Sequence, residues 1–204
     1  MKKLLILIGI VIIAITENLN AQRVIWEDDF ETSKGWSEYE DLTAKVIVKD
    51  GVLLIKSKSD SYRYISKCKT SLDANKSFNL TAEINVKRGL NLNSMVGIMF
   101  DYKDTKNYTA FYIQNGFAVF EQVKDGTLIR QDKDSIKRNK ASFLRNKKDM
   151  KFTFEIQKKG SSAMFLVNEE ETIDMDEIEM KSNRIAFFVS GNQEATFDNV
   201  KITQ

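Results

Sequence analysis

Residues 94–124 read SMVGIMFDYKDTKNYTAFYIQNGFAVFEQVK, three short runs rich in aromatic and β-branched residues separated by two polar breaks. The runs are 95–102, 107–114 and 117–124; Asp104-Thr105-Lys106 and Asn115-Gly116 mark the joins. Asn-Gly between apolar runs favours a two-residue hairpin, because both central residues must take positive φ. The stretch therefore predicts three consecutive antiparallel strands at the centre of a sandwich.

The same signature recurs on either side. Asp50-Gly51 joins 44–48 to 52–58, and Asp125-Gly126 joins the third central run to 127–131. In 78–87, Phe78, Leu80, Ala82, Ile84 and Val86 alternate with Asn79, Thr81, Glu83, Asn85 and Lys87, the pattern of a half-buried strand with one wet face. Residues 151–158 alternate likewise, Lys159-Gly160 turns them into 163–167, and 168–170 turn again into 172–175. Shorter strands are expected at 24–26 and 62–67, and a final pair at 184–190 and 196–203. Residues 132–149 are polar and irregular. About thirteen strands, with no amphipathic helix of any length, predict an all-β chain folded as a two-sheet antiparallel β-sandwich.

The N-terminus has the layout of an export signal: Lys2 and Lys3, an apolar run over 4–15, then a polar stretch ending at Ala21. At ~1.5 Å per residue that run is well short of a ~30 Å hydrocarbon core, so it predicts a cleaved signal peptide (1–21) and no membrane span after its removal. One domain is expected over 22–204, exported to the periplasm or beyond the cell. Cleavage takes Lys2, Lys3 and Glu17 from 31 basic and 29 acidic side chains, leaving 29 and 28. So even a balance argues against nucleic acid as partner, which demands a concentrated basic surface. The richest basic run, 137–148, reads as a solvated loop or short helix. Cys68 is the only cysteine, so no internal disulfide forms and the core alone holds the domain. The sequence contains no histidine, which excludes Ser-His-Asp and Cys-His catalysis and histidine-ligated metals.

Asp28-Asp29-Phe30 with Gly35-Trp36, Gly97-Ile98-Met99-Phe100 with Asp104 and Asn107-Tyr108, and Phe187-Phe188-Val189-Ser190-Gly191 with Phe197-Asp198-Asn199-Val200-Lys201-Ile202 together resemble the concanavalin A-like jelly rolls of exported bacterial proteins, the laminin-G-like and family-16-glycosidase-like modules. The resemblance implies a concave sheet that binds sugars and, in some relatives, hydrolyses them with acidic residues alternating along one strand. It also implies, in several relatives, a structural calcium between the first and last strands, which here would fall on Asp28, Asp29 and Asp198. Asn93-Ser94 is similar to the domain of 3-keto-disaccharide hydrolysis, but Asp101-Tyr102 replaces the arginine usual there.

The acidic stretch nearest to a glycosidase pattern is Glu171-Thr172-Ile173-Asp174-Met175-Asp176-Glu177. Alternation sends Glu171 and Glu177 to one face and Asp174 and Asp176 to the other, so acid and base point apart. On the central strands, if Ile98 and Phe100 face the core, Met99 and Asp101 face away while Tyr102 follows the core. By the same phase Tyr108 and Tyr112 face away too. Asp101, Tyr108 and Tyr112 then have the make-up of a sugar site, with rings to stack on pyranoses and a carboxylate to take hydroxyls. Trp36 reads as a packed plug. The expectation is an exported, non-enzymatic module that binds a carbohydrate or glycoconjugate. The alternatives are a glycoside hydrolase with paired carboxylates, and an interaction module whose partner is another envelope protein.

Overall fold

The computed structural model describes residues 22–59, 63–87, 94–136 and 149–204. Residues 1–21, over which an export signal was expected, and Tyr62, Asn93 and the basic run 137–148 lie outside the described residues. In chain order the strands are β1 (Val24–Asp28), β2 (Tyr39–Glu40), β3 (Ala44–Lys49), β4 (Val52–Ser57), β5 (Arg63–Lys69), β6 (Phe78–Val86), β7 (Met95–Asp104) and β8 (Asn107–Gln114). They continue as β9 (Phe117–Lys124), β10 (Thr127–Ser135), β11 (Met150–Lys159), β12 (Ser162–Val167), β13 (Glu170–Met175), β14 (Arg184–Ser190) and β15 (Glu194–Thr203). Two antiparallel sheets result, a nine-stranded one in the order β13-β12-β11-β6-β15-β4-β3-β2 with β1 on β15, and a six-stranded one in the order β10-β9-β8-β7-β14-β5. This is the concanavalin A-like β-sandwich that the resemblance implied. Among the described residues no helix is long and apolar enough to cross a membrane.

The hairpins form where glycine follows a short polar residue. Asp50-Gly51, Asn115-Gly116 and Asp125-Gly126 all hold φ between 50° and 78°, the paired positive values of a type I′ turn. Strand β10 runs to Ser135, four residues beyond its expected end. Its polar Asp132-Lys133-Asp134 still pairs with Phe120, Val119 and Ala118 on β9, because an outer strand needs a backbone ladder and no apolar face. The short β2 also escaped the pattern, being two exposed residues held by pairing to β3.

Aromatic rings from both sheets meet between them. Phe165 of β12 lies 5.7, 5.0 and 5.2 Å from Phe100, Phe111 and Phe120, which come from β7, β8 and β9. At the other end Trp36 stacks on Phe187 at 5.2 Å, and Phe187 on Phe197 at 4.5 Å. Trp36 is the plug its position suggested, buried between the first strand and β14.

Gly97 carries a constraint of a different kind. A Cβ there would lie 2.3 Å from the Phe111 carbonyl oxygen and 2.4 Å from Tyr112 Cβ. Residue 97 pairs with Phe188 on one side and Tyr112 on the other, and its bareness lets these two rings meet edge-on across β7 at 5.7 Å. Gly97→Ala is expected to lower stability by about 2–3 kcal/mol, roughly 5–10 °C in Tm for a chain of this size. Thermal unfolding measures this, and an unchanged Tm would contradict the close approach.

Candidate functional site

Strand β8 buries Phe111 and Ile113 between the sheets, so period-two alternation turns Tyr108, Ala110 and Tyr112 to the other face of the six-stranded sheet. Met99, Ala186, Phe188 and Val119 join them from neighbouring strands, with Met95, Ile65 and Phe117 packed around the edge. This face carries a second apolar cluster, and within it a polar group of four.

Glu121 of β9 is the centre of that group. Its Oε1 accepts from Arg63 and from the Tyr108 hydroxyl at 2.9 Å; its Oε2 accepts from Arg63 Nη2 at 3.2 Å and from the Tyr112 hydroxyl at 2.9 Å. Arg63 also donates to Tyr108 Oη at 2.7 Å and to Met95 Sδ at 3.4 Å. Its guanidinium lies 5.8, 5.5 and 5.2 Å from the ring centres of Tyr108, Tyr112 and Phe188, within cation–π range.

The contact fixes the shape of the sheet. Strands β5 and β9 are four places apart, about 19 Å on the ~4.8 Å strand spacing. Arginine and glutamate cannot bridge that from a flat sheet, so the sheet curls toward this side and the face is concave.

Burial works against the Glu121 charge, but the two bonds and the charge from Arg63, with the tyrosine hydroxyls, outweigh it and hold its carboxyl below the usual range. Burial and the Glu121 charge push the Tyr112 hydroxyl far up. Tyr108 is raised to about 12, chiefly by burial. Burial opposes the charge of Arg63 as well, yet Glu121 keeps it firmly protonated. The group is a locked, neutral pair with two protonated phenols. Its outward surface is Arg63, whose side chain is 24% exposed, and half-buried Tyr108; Glu121 is 6% and Tyr112 2% exposed. Tyr112 therefore supports the face from beneath and offers no free ring for stacking.

Asp101 does not share this face. It has φ of 52°, and the β7–β8 register slips between Phe100 and Asp104, so an extra residue reverses the alternation. Tyr102 consequently joins the concave cluster, against the expectation that it follows the core, and Asp101 turns to the chain before β14. There it accepts from the backbone amides of Lys181, at 2.6 Å, and Ser182. Burial raises its pKa despite these two donors.

The three carboxylates on which the resemblance would place a calcium are engaged as hydrogen-bonded turn carboxylates and do not make a cradle. Asp28 is buried and spent on Phe30 N and Trp36 Nε1, each at 2.9 Å. Asp29 caps Glu31 N at 3.3 Å and Asp198 caps Asn199 N at 2.7 Å. Calcium wants six to eight oxygens, and no group of three or more acidic, cysteine or histidine side chains among the described residues is arranged for a metal. The alternation expected of the acidic stretch holds only over 173–176, where Ile173 and Met175 are buried and Asp174 and Asp176 exposed; the strand ends at Met175, and Glu177, with φ of 59°, is exposed as well rather than sharing the buried face.

Arg63 and Glu121 are the residues that sequence reasoning missed. Glu121 did leave a signal, as a charge directly following the apolar Phe117-Ala118-Val119-Phe120 run and in phase with Val119. Arg63 left none, because its partner lies 58 residues away.

No protein-family model and no curated protein matches the sequence. Solved structures share the fold. A Bacillus licheniformis β-glucanase aligns with TM-score 0.59 and 12% identity over 88% of this chain and 97% of its own. A Bacillus subtilis protein of unknown function with a galectin-like fold aligns with TM-score 0.58 and 9% identity over 89% and 96%. A botulinum neurotoxin type C chain aligns with TM-score 0.63 and 12% identity over 91% of this chain and 48% of its own.

Arg63→Ala, which strands a buried carboxylate, is expected to cost about 3 kcal/mol, and Arg63→Ala combined with Glu121→Ala less than the sum of the two single losses. A double-mutant cycle by denaturant unfolding checks this. Because the folded Glu121 pKa is depressed, its contribution is complete above the ordinary value of 4.5 and lost as pH falls through the lower folded one. The stability gap between wild type and Glu121→Gln is expected to be full at neutral pH and to close below that value. Asp28→Ala is expected to destabilise by about 2–3 kcal/mol, by the same amount in calcium and in chelator, as read by thermal unfolding.

Proposed function

We propose that this protein is an exported, non-enzymatic module that binds a carbohydrate or glycoconjugate on the concave face of the six-stranded sheet. The observation that carries this reading is the Arg63–Tyr108 edge of the polar group, the part of a curled aromatic face left open to solvent. Tyr108 presents half a ring and the remaining lone pair of its hydroxyl, and Arg63 presents the open edge of a guanidinium whose Nη hydrogens are already given to Glu121, Tyr108 and Met95. Tyr112 and Glu121 set the geometry, so these groups are held in place before a ligand arrives. Among proteins of this fold, the β-glucanase acts on a glucan by its name, and the neurotoxin depends on two ganglioside molecules to get into cells.

Binding rather than hydrolysis is favoured by the state of Glu121. It is the carboxylate to which the hydroxyls of Tyr108 and Tyr112 are bonded, and both its oxygens are taken by two donors each. Glycoside hydrolysis needs two carboxyl groups about 5–10 Å apart across the bond.

A second reading, a protein-interaction module, is favoured by β10. This outermost strand exposes Leu128 (50%) and Ile129 (53%) side by side, and strand addition is a common mode of docking.

The test is a glycan array followed by titration of any hit. Tyr108→Phe is expected to weaken binding about five- to tenfold, the value of one hydrogen bond, with Tm changed by no more than a few degrees. Arg63→Lys, which keeps the charge and loses the fork, is expected to weaken it as well. Unaltered affinity in both variants would remove the concave face from the reading. Silence of the array together with concentration-dependent self-association would favour β10.

A further inference from the structure

On the opposite side of the sandwich, the outward face of the nine-stranded sheet holds a cleft of about 440 Å³. That lies within the ~300–1,000 Å³ of small-molecule sites. Two rows of three side chains floor it. Register places Asn85 of β6 between Lys151 of β11 and Thr196 of β15, and Glu83 of β6 between Thr153 of β11 and Asp198 of β15. Val52 of β4 and Asn168 of the β12–β13 turn complete the lining. Asn168 is fixed there because its Oδ1 accepts from Thr153 N at 2.9 Å. Ile84 and Phe152 line the cleft too, but their side chains belong to the core.

Two features of this floor are left unresolved by the protein itself. Asn85 Oδ1 is buried and has no hydrogen-bond partner, an arrangement that costs the full desolvation of the group unless something donates to it. Glu83 and Asp198 stand directly opposite one another, where like charges repel. Burial, with the charges of Glu83 and Asp29, raises the Asp198 carboxyl above its usual range.

The chemistry of the lining selects the ligand. Acceptors come from Glu83, Asp198 and Asn85 Oδ1, and donors from Lys151 and the two threonine hydroxyls. A small cation would face Lys151, and an anion would face two carboxylates. Hydroxyl groups, each both donor and acceptor, satisfy the mixed set.

We propose that this cleft is a second binding site, for the neutral, hydroxyl-rich end of a saccharide. It does not rest on the concave-face reading, since both sheets lie between the two sites and no residue is shared.

The test is a ¹⁵N-NMR titration of the purified protein with the methyl glycosides of glucose, galactose and mannose and with sucrose, using tetramethylammonium and acetate as charged probes. At least one neutral sugar is expected to shift Asn85, Thr153 and Thr196 saturably, and neither charged probe to do so. Asn85→Ala and Glu83→Gln, both outward-facing changes, are each expected to weaken that binding about tenfold, while Tyr108→Phe leaves it unchanged. Absence of a saturable shift with all four sugars overturns the proposal. So does saturation by a charged probe alone, or binding indifferent to both Asn85→Ala and Glu83→Gln. Shifts at Arg63 and Tyr108 report on the concave face, so either site can fail without the other.

Discussion

The packing of Phe165 between the sheets is the contact on which the other features rest. One ring from β12 meets Phe100, Phe111 and Phe120 from three adjacent strands of the facing sheet, and Phe111 reaches further to Phe154 at 5.0 Å. Without disulfides to constrain the chain, burial of such rings is the main term opposing its conformational entropy. The seam also fixes the phase of every strand that contributes to it. A slip of one residue would exchange core for surface along the whole strand.

Once Phe111 is committed inward, Tyr108 and Tyr112 have no choice but the other face, and the same holds for Val119 and Glu121 once Phe120 is committed. A carboxylate placed there by phase must be compensated, because the curl of the sheet removes it from water. Arg63 and two phenols supply four donors, and the rings beneath Arg63 take up its charge. Gly97 is part of the same solution. Its missing side chain allows Tyr112 and Phe188 to close over β7, which gives the guanidinium an aromatic floor.

Much of the fold was legible because it is written locally. Asp50-Gly51, Asn115-Gly116 and Asp125-Gly126 announce their hairpins in two residues each, and 107–114 and 117–124 carry their alternation within eight. The placement of Tyr108 and Tyr112 on the concave face followed from that alternation. What defeated the reading was non-local or irregular. The bulge at Asp101 inserts one residue and inverts the phase after it, so Tyr102 and Asp101 exchanged places. The polar end of β10 carries no alternation, and only pairing with β9 makes it a strand. Arg63 reaches Glu121 through curvature, which no window of sequence encodes.

The two faces that the sandwich turns to solvent are made by one rule with different outcomes. Alternation along β8 and β9 yields rings, and along β6, β11 and β15 it yields Glu83, Asn85, Lys151, Thr153, Thr196 and Asp198. The six-stranded sheet curls inward over its outer face, so side chains there converge, exclude water and must pair among themselves. On the cleft side of the nine-stranded sheet most polar groups keep contact with water, so Glu83 can stand opposite Asp198, and of the lining Asn85 Oδ1 is the atom left buried without a donor. The concave face thus presents a rigid aromatic edge with its polar groups already bonded, whereas the outer cleft presents acceptors still waiting for donors. Recognition on the first side depends on shape held in advance, and on the second on hydrogen bonds completed by whatever enters.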